Sequence, residues 1–268
     1  SMQNIVLFGI KQRQVLYMHQ SIPFSEIRFI FRESKKLWVI QNILSRLIVY
    51  SICKADHVVV QTNWIADSAA KMAKVDREKI SVILPSLPSI DTSVEYKENM
   101  ARHVFLYPVS AVGYKNHSLI VSAVQLLIQR GITDFKVIFT ATYDELSAIG
   151  INDICDSIQC IGAQPRNKVL DMLHQSTLLF PSRLETLGIP LLEGKMCKTF
   201  ILSADMLFAH DILGGYPNVD YFDVYDPEEL ADKMQAIILK ERPYYTVFCE
   251  GERIPIGWGR VVALLKAE

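Results

Sequence analysis

Short runs of β-branched and apolar residues alternate along the chain with longer stretches in which apolar residues recur every three or four positions. Strands and helices that follow one another in this way are typical of α/β proteins with parallel sheets. In the first part of the chain, the pattern predicts strands at 5–8, 15–18, 57–61 and 80–84, with helices at 34–53 and 64–73.

The helix predicted over 34–53 has the clearest periodicity. Its apolar positions follow one another at steps of three and four: Leu37, Ile40, Leu44 and Leu47. This spacing predicts an amphipathic helix that buries these four side chains. Thr62 or Asn63 is expected to cap the helix that follows.

A polar stretch at 86–100 then predicts a linker, beyond which the alternation restarts. The second part predicts a Rossmann-like unit of five or six strands. Its predicted strands are 104–107, 136–140, 158–161, 177–180 and 199–202; its predicted helices are 117–130, 166–174, 187–197, 206–213 and 227–239. A last helix is predicted at 258–266, around Trp258, Val261, Leu264 and Leu265.

Composition narrows the class of protein. With 268 residues, 50% of them hydrophobic, the chain can bury a substantial core. A net charge of −1 gives no basic excess, so we expect no nucleic-acid partner. The five cysteines are scattered and lack a Cys-x-x-Cys pair, which favours a reducing compartment over disulfides or zinc. Without a signal sequence or an apolar stretch of about 18 residues, we expect a cytoplasmic protein.

Charge is distributed unevenly between the two parts. Residues 1–60 carry eight Lys and Arg against three acidic residues, whereas the remainder is net acidic. The basic segment 11–54 also contains four aromatic residues: Phe24, Phe29, Phe31 and Trp38. Two interpretations remain open, a peripheral contact with an anionic membrane surface such as the inner face of the plasma membrane, and an ordinary solvated helix face.

Ligands of open parallel sheets bind beyond the carboxyl ends of the strands, so residues that follow strands are candidates for chemistry. One such segment, 181–193, carries Glu185, Gly188 and Glu193 between a strand and a helix. The helix start can hold a phosphate through backbone N–H groups. If the stretch is helical, the two carboxylates lie about 12 Å apart, which suits two hydroxyl-rich rings better than a hydrolase acid and base pair.

Two further segments follow strands. Lys115 comes after the 104–107 strand and at a helix start, where its charge suits a diphosphate. His19 follows the 15–18 strand in the other domain. Taken singly, each has an ordinary structural explanation: a solvated Glu, a Lys in an exposed first turn, and a satisfied structural His.

Together these segments resemble the retaining glycosyltransferases of family 4, the glycosyl transferases group 1. Segment 181–193 resembles the Glu-x7-Glu signature of that family, followed by Ser203-Ala204-Asp205; 112–117 resembles its diphosphate-binding lysine segment, and 55–62 the last strand before its linker. The resemblance implies the GT-B architecture, an α/β fold of two Rossmann-like domains facing across a cleft. We therefore predict a partial N-terminal, acceptor-side domain at 1–95, a nucleotide-sugar-binding domain at 101–250, and a helix at 251–268 that returns towards the N-terminal domain.

The resemblance also implies residue roles. Glu185 would contact hydroxyls of the donor sugar, Glu193 the ribose, and Lys115 the diphosphate. Backbone N–H groups of three residues would bind the phosphates: Thr186, Leu187 and Gly188. His19 would lie near the anomeric carbon, and Gly162 where the base sits. The donor would be a UDP- or GDP-linked sugar and the acceptor a glycan or lipid-linked glycan of a surface polysaccharide, with no metal and no other cofactor.

This chain departs from the family pattern in two respects. Ser110 stands where the family usually carries an Arg, and Arg183 is the residue expected to compensate. The N-terminal domain lacks several strands and a Gly-rich loop, as expected of either a truncated chain or a naturally short protein. Two alternatives to a transferase therefore stay open: a non-catalytic GT-B protein that binds a nucleotide or a partner, and a sugar-nucleotide epimerase.

Overall fold

The computed structural model describes residues 4–32, 34–85, 90–91, 93–247 and 258–266. The chain divides into two compact units. Unit 1 comprises 1–88, 184–187 and 251–268, and unit 2 comprises 89–183 and 188–250. The segment 184–187, which the sequence placed in the second domain, groups with unit 1 because the carbonyl oxygen of Thr186 accepts hydrogen bonds from Thr62 Oγ1 at 3.1 Å and Trp64 Nε1 at 3.3 Å.

Unit 1 contains a parallel sheet of three strands, in the order β1 (Val15–Tyr17), β2 (His57–Val60) and β3 (Ile80–Val82). Its helices are α1 (Lys35–Val39), α2 (Ser45–Lys54) and α3 (Asn63–Ala73). The strand predicted at 5–8 is wrong. There, the Gln14 side chain bonds both the N–H and the carbonyl of Leu7, so these backbone groups are occupied by a side chain rather than by a neighbouring strand.

A π-helix, Ile40–Leu44, separates α1 from α2 and shifts the buried face that the sequence predicted. Leu44 is 40% exposed, and the residues buried instead are Gln41, Ser45, Ile48, Ser51 and Ile52. The wider π turn rotates the following helix relative to an unbroken α-helix. Gln41 is tolerated in the core because its amide donates to Ile27 O at 2.6 Å and accepts from Phe29 N at 3.0 Å.

The helix predicted at 258–266 is confirmed as α11 (Trp258–Lys266), in unit 1. Val261 is buried and Leu264 packs beside it against four residues of the three-stranded sheet and its flank: Val15, Tyr17, Val59 and Ile83. The side chains of Trp258 and Leu265 lie outside the described residues, as does part of the predicted 86–100 linker, which in its described part includes the start of the short helix α4 (Glu98–Ala101).

Unit 2 contains a six-stranded, all-parallel sheet in the order β6-β5-β4-β7-β8-β9. The strands are β4 (Val104–Tyr107), β5 (Lys136–Phe139), β6 (Ile158–Cys160), β7 (Thr177–Phe180), β8 (Ile201–Ala204) and β9 (Val219–Phe222). Between them run α5 (His117–Gln129), α6 (Tyr143–Ser147), α7 (Arg166–Leu173), α8 (Ile189–Met196) and α9 (Leu207–Leu213), and α10 (Pro227–Ile238) follows β9. This is the Rossmann strand order, so the predicted α/β unit is present with six strands.

Two elements of unit 2 escaped the sequence pattern. Strand β9 reads Val-Asp-Tyr-Phe and is only half-buried over three of its four residues, so it lacks the apolar run of its neighbours. Helix α6 has five residues and is started by a capping box between Thr142 and Glu145, which is too short for a helical period to show. The strand predicted at 199–202 is displaced to Ile201–Ala204.

Helix α8 approaches the sheet closely at Gly194. A Cβ there would lie 2.9 Å from Leu178 Cδ2 and 3.2 Å from Ile201 Cδ1, and both of those side chains are fully buried. Because protein interiors are closely packed, neither Leu178 nor Ile201 can move away without displacing other buried side chains. Gly194 therefore fixes how deep α8, and with it Glu193, sits against β7 and β8.

We expect Gly194→Ala to lower the free energy of unfolding by about 1–3 kcal/mol through overpacking, measured by urea unfolding. Gly259→Ala in α11 is the matched control: a Cβ there meets nothing within 4 Å. It should leave stability unchanged or raise it by up to about 1 kcal/mol through helix propensity. Wild-type stability in Gly194→Ala would contradict the close approach.

Candidate functional site

The carboxyl edge of the unit 2 sheet brings several predicted residues into neighbouring loops. The strand order reverses between β4 and β7, and the loops that leave such a switch point flank a crevice. Lys115 lies in the loop after β4, and Arg183 in the loop after β7. Gly162 follows β6, and Glu193 lies on α8.

Lys115 is positioned by its own backbone and by the residue after it. It ends a 3₁₀ turn, Gly113–Lys115, and its carbonyl oxygen accepts a 2.6 Å hydrogen bond from the Tyr107 hydroxyl. Asn116 has a left-handed backbone (φ 61°) and donates its side-chain amide to Val224 O at 2.8 Å. Asparagine tolerates this conformation better than most residues do. The backbone of the turn that carries Lys115 is therefore fixed by Tyr107 and, at the next residue, by the Asn116–Val224 contact.

Arg183 is tied directly to the Lys115 turn. Its backbone N–H donates to Tyr114 O at 2.9 Å, and its Nη2 donates to Gly113 O at 3.2 Å. The guanidinium carbon lies 5.9 Å from the centre of the Tyr225 ring. The exposed Ser110 supplies no cation, so these contacts place a second positive group, from the β7 loop, beside the turn that carries Lys115.

Glu193 is buried at 5% exposure and paired. Its Oε1 accepts a 2.6 Å hydrogen bond from Nε of Arg166, the first residue of α7. The charged pair joins the first residue of helix α7 to helix α8. The sequence identified Glu193 as a candidate but not Arg166. Arg166 could have been considered because it directly follows Pro165, at a helix start near the predicted base site.

The stretch from Glu185 to Glu193 is not helical throughout. Helix α8 starts only at Ile189, after Gly188 in a left-handed conformation (φ 68°). The separation of about 12 Å estimated from helical rise therefore does not apply, because the left-handed glycine turns the chain before the helix begins. Pro190 also removes one backbone donor from the first turn of α8.

Gly162 occupies a tight turn at the end of β6. Its backbone is left-handed (φ 68°), its N–H donates to Ala141 O at 3.3 Å, and a Cβ would lie 3.3 Å from Thr142 Cγ2. Glycine is the residue that this combination of conformation and closeness favours. The turn thus keeps the backbone after β6 close to the loop after β5.

In unit 1, the structure brings His19 and Thr186 together. Thr186 Oγ1 lies 3.2 Å from both the carbonyl oxygen of His19 and Oγ of Ser21. The His19 side chain is exposed, and its ring centre is 6.4 Å from that of Tyr17. The backbone N–H of His19 donates to Asn4 Oδ1 at 2.8 Å. Glu185, half-buried, and the buried Leu187 belong to the same short segment as Thr186.

His117, directly after the Lys115 turn, packs its ring between aromatic residues. Its centre lies 4.7 Å from that of Tyr107 and 5.1 Å from that of Phe139, and the side chain is 1% exposed. Burial, assisted by the positive charge of Lys115, lowers the pKa of His117 to about 4. His117 is therefore neutral at pH 7 and adds no charge to the turn.

Residues 90–250, more than half of the chain, match the family model described as glycosyl transferases group 1. The chain belongs to this family. The predicted family is thereby confirmed at that level, whereas its family 4 membership and the roles of individual residues stay predictions.

Relatives of this group 1 chain agree with the family. It is 27% identical over 215 residues to the O-antigen chain mannosyltransferase RfbU of Salmonella typhimurium, covering 74% of this chain and 55% of that protein. The chain thus spans about half the length of this relative.

Two solved structures share the fold at low identity. Anabaena HepE, solved with UDP-glucose, superposes with a TM-score of 0.64 at 13% identity, over 86% of this chain and 64% of HepE. WaaG, a glycosyltransferase involved in lipopolysaccharide biosynthesis, superposes with a TM-score of 0.59 at 14% identity, over 95% of this chain and 75% of WaaG. These likenesses confirm the predicted GT-B type of α/β fold.

The described residues contain neither a candidate metal site nor a candidate membrane-spanning helix. Within that part of the chain, no three His, Cys, Asp or Glu side chains are grouped so that they could hold a metal ion. None of the described helices of this group 1 chain is both long enough and apolar enough to cross a bilayer.

The lowered pKa of His117 predicts a pH dependence of stability. In the unfolded chain the pKa is about 6.5, so between pH 6.5 and 4 the unfolded state binds more protons and stability falls as the pH falls. Lowering the pH from 7 to 5 reduces the free energy of unfolding of the wild type. We expect this reduction to be about 2 kcal/mol smaller in His117→Phe, which has no group to titrate at this position. Urea unfolding of both proteins at both pH values measures this difference. The comparison of variant and wild type at pH 7 gives the effect of the substitution on packing alone. An equal reduction in both proteins between pH 7 and pH 5 would contradict the prediction.

Proposed function

We propose that this group 1 chain is a retaining glycosyltransferase, of hexosyltransferase type, that moves a sugar from a UDP- or GDP-linked donor to a glycan or lipid-linked acceptor in surface polysaccharide synthesis. The observation that carries the proposal is the carboxyl edge of the unit 2 sheet, where Arg183 is hydrogen-bonded to the turn that carries Lys115 and Glu193 lies on helix α8. Cations for a diphosphate and a carboxylate for hydroxyls are what a nucleotide sugar requires.

The names of the relatives support the same reaction class. RfbU is described as an O-antigen chain mannosyltransferase, WaaG as involved in lipopolysaccharide biosynthesis, and HepE was solved with UDP-glucose. A nucleotide sugar as donor and a surface glycan as product are consistent with all three.

In the proposed reaction, Lys115 and Arg183 neutralise the leaving diphosphate, together with backbone N–H groups of Thr186, Leu187 and Gly188 at the approach to α8. Stabilising charge that develops on a leaving group is commonly a large catalytic contribution, and fixed cations supply it without a metal. Glu185 and His19 are proposed to contact the donor sugar near the anomeric carbon. Glu193 is proposed to bind the ribose, and Gly162 to lie beneath the base.

Retention of configuration would follow if acceptor and leaving group share one face of the sugar. The leaving diphosphate oxygen would then take the proton from the acceptor hydroxyl as the glycosidic bond forms. This step requires no dedicated protein base. A non-catalytic nucleotide-binding protein and an epimerase differ in product, since the first gives none and the second releases a free 2-epimer.

We also propose that the basic segment 11–54 contacts an anionic membrane surface, which would bring a lipid-linked acceptor to the enzyme. Exposed apolar side chains accompany its cations: Ile30, Phe31, Ile43 and Leu44 are all at least 40% exposed. Phe31 meets Trp38 edge to face at 5.2 Å, with Lys35 Nζ 5.8 Å from the Phe31 ring centre. Phe24, expected to share this surface, is buried in the core instead.

Calorimetric titration with UDP, GDP, dTDP and ADP tests the donor site. We expect one nucleotide to bind selectively, and Lys115→Ala and Glu193→Ala each to weaken it about tenfold or more, since each removes a charge-assisted hydrogen bond. Lys136→Ala is the control, because this exposed lysine begins β5 at the opposite edge of the sheet. Unchanged affinity in the first two variants would contradict the site.

Flotation with vesicles of phosphatidylglycerol and phosphatidylcholine tests the membrane contact. We expect binding at low salt and release at high salt, because exposed charges are screened. A variant with Arg28, Arg32 and Lys36 changed to Ser should bind on the order of a hundredfold more weakly, at about 1 kcal/mol per basic residue. If the wild type does not float with the vesicles at low salt, the membrane contact is contradicted and the segment is an ordinary solvated helix face.

A further inference from the structure

The Arg166–Glu193 pair has a geometry that the proposed nucleotide site does not by itself explain. Glu193 has a side chain that is only 7% exposed, whereas the Arg166 side chain is 35% exposed. The 2.6 Å hydrogen bond uses Nε, on the side of the guanidinium nearest the aliphatic stem. A buried carboxylate is thus paired with an arginine whose side chain stays partly in contact with solvent.

Burial of a carboxylate is costly unless a charged partner and hydrogen bonds compensate for lost water. A carboxylate also has two oxygens and about four lone-pair positions, so a bond at Oε1 leaves acceptor capacity for a further donor. A bond from a planar guanidinium in addition limits rotation of the carboxylate about its terminal torsion, which is otherwise broad.

The two residues come from different elements at the same edge of the sheet. Arg166 starts α7, four residues after the left-handed turn at Gly162, and Glu193 lies on α8, which is held against the sheet at Gly194. The contact thus connects the turn proposed for the base with the carboxylate proposed for the ribose. A side chain that orients a ligand-binding group in this way commonly affects affinity without touching the ligand.

We propose that Arg166 is a positioning residue for ribose recognition: its guanidinium holds the Glu193 carboxylate in the orientation that accepts a hydrogen bond from a ribose hydroxyl. The inference rests on the proposed nucleotide-sugar site and adds a residue to it. If the bound ribose hydroxyl is the 2′-hydroxyl, the effect of Arg166 on the preference for ribonucleotides over 2′-deoxyribonucleotides passes through Glu193.

The test is a comparison of UDP with dUDP and of GDP with dGDP by calorimetric titration. For whichever base binds, we expect the wild type to prefer the ribonucleotide about tenfold or more. Arg166→Met should reduce that preference to the value of Glu193→Ala, and the double variant should lose nothing further, as expected of two residues that act as one unit. Arg166→Lys should recover part of the preference, since an ammonium keeps the charge but not the planar geometry.

Thermal unfolding of each variant separates folding from recognition, and Arg166→Lys carries the test if Arg166→Met fails to fold. Arg166→Met with an unchanged ribose preference, or with equal weakening of ribo- and deoxyribonucleotides, would overturn the inference while leaving the nucleotide site intact. Absence of any nucleotide binding by the wild type would overturn the proposed function itself, and the inference with it.

Discussion

Parallel pairing makes the strands of unit 2 end along a single edge, and the chemistry proposed for this protein depends on that constraint. The reversal of strand order between β4 and β7 brings the loops after these strands next to each other. Hydrogen bonds then join the two loops, from Arg183 to Gly113 and Tyr114. Residues nearly seventy positions apart in the chain thus come together, and Arg183 lies beside the turn that carries Lys115, as the proposed compensation for Ser110 requires.

Much of this fold could be predicted because its strands are buried on both faces. Such strands read as unbroken apolar runs, as in β4 and β7, and the helices between them keep a clear period. Prediction failed where this logic does not hold. Strand β9 is half-buried, and the π turn at Ile40–Leu44 rotates the next helix in a way that no spacing of apolar residues records.

The candidate site also contains features that could be predicted from the sequence and features that could not. Positions that follow strands could be found from the sequence, because the end of an apolar run marks them, as for Lys115 and Gly162. Contacts between side chains on different helices, strands or loops could not be found in this way. Nothing in the chain near Glu193 indicates Arg166, which is 27 residues away, because a buried charge selects its partner by distance in the folded protein. The same holds for Asn116, whose partner Val224 is separated from it in the chain by five helices and five strands.

The absence of a side chain at Gly194 limits how far the position of Glu193 can be altered by substitution. Helix α8 lies so near β7 and β8 that a Cβ at Gly194 would overlap the buried side chains of Leu178 and Ile201. Residues larger than alanine at Gly194 would displace the same buried side chains further and cost more stability. Variants that alter the proposed nucleotide specificity are therefore better sought in the loops after the strands than in the packed layer beneath them.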